Sequence, residues 1–189
     1  MTNRHIARRT LLSGTGMGVL GAGFAASFNS GLRPAEAKAG PGSGVWSQGY
    51  VADKGDVRLA MYRKWLPPSP DNRLPVLFLV HGSSLSARST FDLDVPGADY
   101  SMMDVFADAD FDVWTIDHEG FGSSSRTAGR SDIASRVEDL KAALVTVQRE
   151  TGRSKVHMFG ESSGAIAAAA FAQSEPDRVD RLILAATTP

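Results

Sequence analysis

Apolar residues follow two patterns along the chain, and together they predict strands alternating with helices. Alternating apolar and polar residues at 45–51 and 57–65 predict an antiparallel hairpin around the turn at 54–56. Later runs are short and largely apolar, and the first of them, 75–80, is apolar at every position, which is typical of a strand covered on both faces. These runs are 75–80, 111–116, 155–159 and 181–186.

Helical patterns fill the segments between these runs. The clearest is 132–149, where apolar residues recur at spacings of three and four and charged residues, including Arg136, occupy the other face. We expect Ser131 or Asp132 to cap its first turn. Shorter patterns predict helices at 102–108 and 163–173. The alternation predicts an α/β fold, with a doubly wound, mostly parallel sheet and an N-terminal antiparallel hairpin.

Composition narrows the class of protein without identifying a partner. An apolar content of 42% and a charged content of 22% are typical of one globular domain. The formal net charge of −1 and the lack of a long Lys/Arg run argue against nucleic acid as a partner. There is no cysteine, which excludes disulfides and thiolate chemistry. We expect no metal, because the histidines lack the companions of a metal site, and no cofactor.

The N-terminal segment 1–39 predicts an export signal. A basic start leads into a weakly apolar, glycine-rich stretch at 11–28, and small residues at 35–39 offer cleavage near 37–39. The pair Arg8-Arg9 with the following Thr-Leu-Leu resembles the twin-arginine signal, although the general secretory route stays open. We therefore expect a bacterial periplasmic or secreted domain at 40–189. The glycines disfavour a membrane-anchoring first helix, and no other stretch approaches the roughly 20 apolar residues of a membrane span.

One serine lies in a setting that suits nucleophilic chemistry. Gly160, Ser162 and Gly164 form G-x-S-x-G between a predicted strand and a predicted helix. A sharp strand-to-helix turn forces the serine into a strained conformation and needs small neighbours. Ser162 would then be exposed beside the N-terminus of the helix, with the Ser163 amide available to an oxyanion. The alternative is a small-residue turn that only lets the helix pack closely.

Two upstream loops accompany this serine. After the run at 75–80, His81-Gly82-Ser83-Ser84 can supply a second oxyanion donor, from the Ser83 amide or its neighbour Ser84. We expect His81 to hydrogen-bond backbone and hold its loop rather than to act as a base.

The second loop is "DHEGFGSSS" at 117–125. We expect Asp117 to bond the loop amides. A pairing of His118 as base with Glu119 is disfavoured, because adjacent residues at a strand end point in opposite directions. His157 lies inside a predicted strand, facing the core or a helix.

Together, "VLFLVHG", "DVWTIDHEGFGSSS", "VHMFGESSGAIAAAAFA" and "EPDRVDRLILAAT" resemble the α/β-hydrolase superfamily over about 45–189. The resemblance implies that Ser162 is the nucleophile and that the Ser163 and Ser83 amides form the oxyanion hole. It also implies a small-molecule carboxylic ester as substrate, with an amide, peptide or carbon–carbon bond as alternatives. The residues that would support the elbow and the loops are His81, Gly82, Gly160, Gly164 and Asp117.

The chain departs from the superfamily after the serine. The superfamily places the catalytic acid and histidine downstream, whereas only 25 residues follow Gly164 and none is histidine. All four histidines precede Ser162, at positions 5, 81, 118 and 157. We expect the N-terminal part of a hydrolase domain, truncated after the sixth strand, with little or no turnover alone. The apolar strand 181–186 would then be an exposed edge open to pairing with another chain. The competing hypothesis is a non-catalytic binding or interaction module.

Overall fold

The computed structural model describes residues 38–39, 44–67, 74–129 and 131–187. The predicted export signal lies outside the described residues except for Lys38–Ala39. The strands are β1 Lys38–Ala39, β2 Trp46–Lys54, β3 Val57–Trp65, β4 Val76–Val80, β5 Asp92–Val95, β6 Ala98–Ser101, β7 Asp112–Ile116, β8 Val156–Glu161 and β9 Val179–Ala185. The helices are α1 Ala87–Phe91, α2 Met102–Asp108, α3 Ile133–Thr151 and α4 Ser163–Ser174, with a 3₁₀ turn at Pro176–Arg178.

The main sheet has the strand order β1-β2-β3-β7-β4-β8-β9. Pairing is antiparallel from β1 to β7 and parallel from β7 to β9, so β2, β7, β4, β8 and β9 run in one direction. All six predicted strands and all three predicted helices are present, and β1 adds a short seventh strand. The predicted fold class is confirmed.

Helix α1 and the separate β5–β6 hairpin were not predicted from the sequence. Each of these elements has only four or five residues, too few for a hydrophobic period to be measured. The hairpin turns at Gly97, whose φ of +79° favours glycine.

Strand β4 lies at the centre of the sheet and is buried at all five positions. Its Phe78 belongs to the core that packs against α3 and α4, whereas Leu77 and Leu79 belong to the core on the α2 side. Because both faces are covered, β4 needs apolar residues at every position, as its sequence pattern predicted. The rigid centre of the sheet therefore holds the loop that follows β4.

Helix α3 begins after Asp132, whose Oδ1 accepts a hydrogen bond from the Ser135 amide at 2.9 Å. It ends at Gly152, which has a φ of +70°. One expectation for this helix is wrong: Arg136 was placed on the solvent face but is only 3% exposed. Asp139, one turn later, is fully buried. Among the described helices, none is both long and apolar enough to cross a membrane.

Strand β9 forms one edge of the sheet and pairs only with β8 among the described strands. Leu182, Ile183 and Leu184 are all exposed there, on both faces of the strand. The exposed edge agrees with the sequence, and pairing through it with another chain stays a prediction.

Candidate active site at the end of strand β8

Ser162 forms the turn between β8 and α4 and has φ +57° and ψ −128°. A residue with a side chain rarely adopts this backbone conformation, which stores about 1–3 kcal/mol of strain. Two backbone hydrogen bonds hold it, from the Ser162 amide to the Ala185 carbonyl and from the Ala165 amide to the Ser162 carbonyl, both at 3.0 Å. The strain expected from the sequence is therefore present at the serine itself.

The glycines on either side are required by close backbone contacts. A Cβ on Gly160 would lie 2.6 Å from the Ala165 Cα, so the strand and the helix could not approach as they do. A Cβ on Gly164 would lie 2.3 Å from the Val80 carbonyl oxygen. The G-x-S-x-G spacing thus lets α4 pack directly on the ends of β8 and β4.

Ser162 lines a cavity of about 200 Å³. The cavity is bounded by the loop 82–85, by Ser89 and Thr90 near α1's C-terminal end, and by Glu161 beside Ser162. Gly82 lies so close that a Cβ on it would be 3.0 Å from the Ser162 Cβ. The loop after β4 and the serine therefore share one small space.

Two candidate oxyanion donors flank this space. Ser83 lines the cavity next to Gly82. Ser163 is the first residue of α4, so its amide has no acceptor within the helix. In the described part of the chain, the Ser162 hydroxyl forms no hydrogen bond with any side chain, and no histidine reaches it. The serine is therefore placed for attack but has no base in contact.

His81 is fully buried and uses both ring nitrogens. Its Nδ1 donates to the Gly82 carbonyl at 2.6 Å, and its Nε2 accepts from the His118 amide at 3.2 Å. Burial lowers the pKa of His81 to about 3, so the ring is neutral at physiological pH. This arrangement links the loop after β4 to the loop after β7 and leaves no nitrogen for Ser162.

Asp117, at the end of β7, joins three segments. Its Oδ1 accepts from the Ala87 amide at 2.8 Å, and its Oδ2 accepts from the Ser123 amide at 2.9 Å and the Tyr62 hydroxyl at 3.0 Å. Gly122 packs against the same carboxylate, where a Cβ would lie 2.0 Å from Oδ2. Burial raises the pKa of Tyr62 to about 12, so the hydroxyl keeps its proton for this bond.

His118 pairs with Asp139, not with Glu119. Its Nδ1 donates to the Asp139 Oδ2 at 3.0 Å, both side chains are fully buried, and burial lowers the pKa of His118. Glu119 instead binds Lys54 and Thr127. No local pattern in the sequence indicates the His118–Asp139 pair, because the residues lie 21 positions apart on different elements.

Lys54 completes this network from the β2–β3 turn by donating to both Asp139 and Glu119. Burial acts to lower the pKa of Lys54, but the two carboxylates outweigh it and leave the pKa raised. Burial likewise acts to raise the pKa of Asp139, and the bonds from His118 and Lys54 reverse this, so the carboxylate is ionised. The cluster connects the β2–β3 turn and α3 with the loop after β7, although the buried His118 Nε2 has no hydrogen-bond partner among the described residues.

Arg136 approaches the elbow from α3. Its Nη1 donates to the Ser163 hydroxyl at 3.1 Å, and its guanidinium lies 5.2 Å from the Phe121 ring centroid. Burial lowers the pKa of Arg136, which still stays charged at neutral pH. Arg136 therefore connects α3 with the first turn of α4 next to Ser162.

His157 lies at the other end of β8 from Ser162. The two residues are five positions apart, at about 3.3 Å per position along the strand. The His157 Nδ1 is 3.2 Å from the Asp180 Oδ2, and its ring packs edge-on against Phe111. Asp180 is the second residue of β9. Neither residue reaches Ser162.

A larger cavity, of about 580 Å³, lies beside the β5–β6 hairpin and shares no lining residue with the Ser162 cavity. Its half-buried lysine, Lys64, is paired with Asp92 at 2.5 Å and Asp104 at 2.8 Å. Over the described ranges, no group of three or more His, Asp or Glu residues is arranged to hold a metal ion.

Comparison with known proteins identifies the fold to which this geometry belongs. The sequence profile of the family described as serine aminopeptidase, S33, matches residues 98–188. Among solved structures, a CIB-like hydrolase from Thermoplasma acidophilum superposes with a TM-score of 0.57 at 20% identity, covering 77% of this chain and 65% of that one. A 2-hydroxy-6-oxo-6-phenylhexa-2,4-dienoate hydrolase from Rhodococcus sp. strain RHA1 gives 0.54 at 21% identity, covering 73% and 45%. The chain has the α/β-hydrolase fold.

Curated sequences similar to this α/β-hydrolase-fold chain carry one name. A protein from Paraburkholderia phymatum named 2-hydroxy-6-oxononadienedioate/2-hydroxy-6-oxononatrienedioate hydrolase is 37% identical over 111 residues, which is 57% of this chain. A protein of the same name from Burkholderia vietnamiensis is 35% identical over the same length. The alignment spans 34% of each of these relatives.

Proposed function

We propose that this chain carries the nucleophile and the oxyanion site of a serine hydrolase that acts on carboxylic esters. The observation that carries the proposal is that the strained Ser162 lines a cavity together with the loop after β4. A strained serine beside two amides that have no hydrogen-bond partner among the described residues is the arrangement that acyl transfer requires.

In the proposed reaction, the Ser162 Oγ attacks the ester carbonyl carbon and forms a tetrahedral intermediate. The Ser163 and Ser83 amides donate to its oxyanion, with Ser84 as the neighbouring alternative donor. Collapse breaks the carbon–oxygen bond and releases the alcohol, and water then hydrolyses the acyl-enzyme. Each half-reaction needs a base to take a proton and return it to the leaving group.

That base is not among the described histidines, because His81 and His118 are engaged in buried hydrogen bonds and His157 lies at the far end of β8. We therefore expect the 189-residue chain to be acylated slowly and to show little or no turnover. The strained Ser162 that lines the cavity supports the hydrolase, and the competing hypothesis is a non-catalytic binding or interaction module.

A second candidate is hydrolysis of a carbon–carbon bond next to a ketone. It is favoured by the curated relatives, both named for a 2-hydroxy-6-oxo dioate. The same serine and oxyanion donors would serve, since the attacked group is again a carbonyl. A dienedioate of that kind and a p-nitrophenyl ester, tested side by side, separate the two candidates by which substrate reacts at Ser162.

The test of the proposal is covalent labelling. The protein is incubated with p-nitrophenyl acetate and analysed by peptide mass spectrometry, with Ser162→Ala as the variant and Ser163→Ala as the matched control. We expect one acetyl group on Ser162, lost in Ser162→Ala and retained in Ser163→Ala. Acetylation that is unchanged in Ser162→Ala, or no acetylation at all, would overturn the hydrolase proposal and favour the binding module.

We also propose that residues 1–39 direct export by the twin-arginine route, on the basis of Arg8 and Arg9. A fusion of this segment to a reporter should reach the periplasm of a bacterial host. Replacing both arginines by lysine should stop that transport, and unchanged transport would point to the general secretory route.

A further inference from the structure

We propose that Glu161 selects the charge of the group that enters the Ser162 cavity and favours a small cationic group over an anionic one of the same shape. This inference rests on the proposed function only in taking that cavity as the substrate site. It makes Glu161 a specificity-determining residue and narrows the substrate class to small esters or amides that carry an ammonium group.

The position of the carboxylate carries the first step. Glu161 is the last residue of β8 and directly precedes Ser162. Its side chain is half-buried and lines the cavity together with Gly82. A Cβ on Gly82 would lie 3.3 Å from the Glu161 Oε2, so the charged end lies against the loop after β4. A group bound near the Ser162 hydroxyl would meet this carboxylate.

The second step is that no side chain of the described residues is paired with this carboxylate, since Arg136, the charged group at the elbow, donates instead to the Ser163 hydroxyl at 3.1 Å. Glu161 is the only charged residue among those that line the cavity. Arg88 in α1 directly precedes the cavity residue Ser89, but its Nε forms an ion pair with the Asp92 Oδ2 at 3.4 Å. Its guanidinium carbon lies 5.6 Å from the Tyr62 ring centroid. Across the described residues, no side chain donates a hydrogen bond or forms an ion pair with Glu161.

Other carboxylates near this edge of the sheet behave differently. Asp117 accepts three hydrogen bonds, and Glu119 and Asp139 share Lys54. A carboxylate that is partly removed from water and has no protein partner leaves a negative potential in its cavity. That potential attracts a bound cation and repels a bound anion.

The size of the cavity limits which cationic groups can bind near the Glu161 carboxylate. A volume of about 200 Å³ is below the range of roughly 300–1,000 Å³ typical of sites for drug-sized ligands. It suits a short acyl chain that ends in a methylated or primary ammonium.

The experiment measures binding and needs no bond cleavage. Three methyl esters of similar shape serve as probes: methyl 4-(trimethylammonio)butanoate, its neutral isostere methyl 5,5-dimethylhexanoate, and monomethyl glutarate. Their Kd values are measured by NMR titration of the full chain at low salt, following the Ser83 and Ser163 amides. We expect the cation to bind about tenfold more tightly than the neutral ester and the anion to bind more weakly.

Glu161→Gln should bring the cation-to-neutral ratio close to one and leave the Kd of the neutral ester unchanged. Glu161→Asp keeps the charge and should retain part of the preference, and 1 M NaCl should reduce it in the unmodified protein. An equal ratio in the unmodified protein and Glu161→Gln, tighter binding of the anion, or no binding of any probe would overturn the inference. Because Ser162→Ala should keep the ratio, failure of the hydrolase would be seen separately, in the labelling experiment.

Discussion

Two loops leave the same edge of the sheet and treat their polar groups in opposite ways. In the loop after β7, Asp117, His118 and Glu119 all have hydrogen-bond partners, several of them more than 20 positions away in the chain. In the turn after β8, the Glu161 carboxylate and the Ser162 hydroxyl have none among the described residues. The first loop therefore uses its polar groups to hold the fold, whereas the polar atoms of the second are unpaired among the described residues, as the proposed substrate site requires.

The two regions also differ in backbone strain. Ser162 has a positive φ although it carries a side chain, and the glycines around it let α4 press against β4 and β8. In the loop after β7, the positive φ values fall on Gly120 and Gly122, which tolerate them. Of these two regions, only the turn after β8 has a positive φ on a residue with a side chain, and that residue is the proposed nucleophile; elsewhere in the described chain Asp110 and Ala186 also have positive φ values.

The largest expected effect comes from breaking the close packing under the serine. Gly164→Ala would place a methyl group 2.3 Å from the Val80 carbonyl oxygen, and backbone must move to admit it. We expect a loss of at least about 3 kcal/mol in the free energy of unfolding, measured by urea denaturation. Gly55→Ala is the control, since nothing lies near its added Cβ and only its φ of +58° is unfavourable, costing about 1 kcal/mol. Similar losses in both variants would contradict the packing argument.

A smaller loss in the free energy of unfolding is expected at acidic pH, where His81 in the loop after β4 is affected. His81 has a pKa of about 3 when folded, so the unfolded chain gains its proton first as the pH falls below about 6.5. The stability due to the neutral ring is full above about pH 6.5 and is lost as the pH falls towards 3. Between pH 7 and pH 5 we expect a loss of about 2 kcal/mol from His81, with His118 acting in the same direction.

Urea denaturation at the two pH values checks this, with His81→Gln beside the unmodified protein. The variant should be less stable at pH 7 but should lose less stability on acidification. An equal loss in the two proteins would mean that His81 takes up its proton in the folded state.

The smallest expected change in the free energy of unfolding comes from relieving the backbone strain at Ser162. Ser162→Gly removes the side chain that opposes φ +57°, so we expect a gain of about 1 kcal/mol in the free energy of unfolding, although labelling at this position is lost. Ser163→Gly, one residue later in the helical turn, should instead destabilise, because it loses the hydrogen bond from Arg136. Destabilisation by Ser162→Gly would show that the serine is not strained.

Local patterns in the sequence were sufficient for the main elements of the fold. The hairpin β2–β3, the apolar strands β4, β7, β8 and β9, and helix α3 each carry a period or a run long enough to recognise. The elbow at Ser162 was also predictable, because a serine flanked by glycines between a predicted strand and a predicted helix indicates a tight strand-to-helix turn. These features depend on neighbours within a few residues, which the sequence contains directly.

Tertiary structure decided which charges are buried and with whom. Arg136 and Asp139 follow the polar spacing of α3, yet packing buries them against Ser163 and against His118 with Lys54. A helical period orients side chains about the helix axis but does not say which part of that surface another loop will cover. Glu161 shows the reverse case, because its carboxylate has no cationic partner among the described residues. Only the folded chain determines this, since the loop after β4, which lies against the carboxylate, is distant from Glu161 in the sequence.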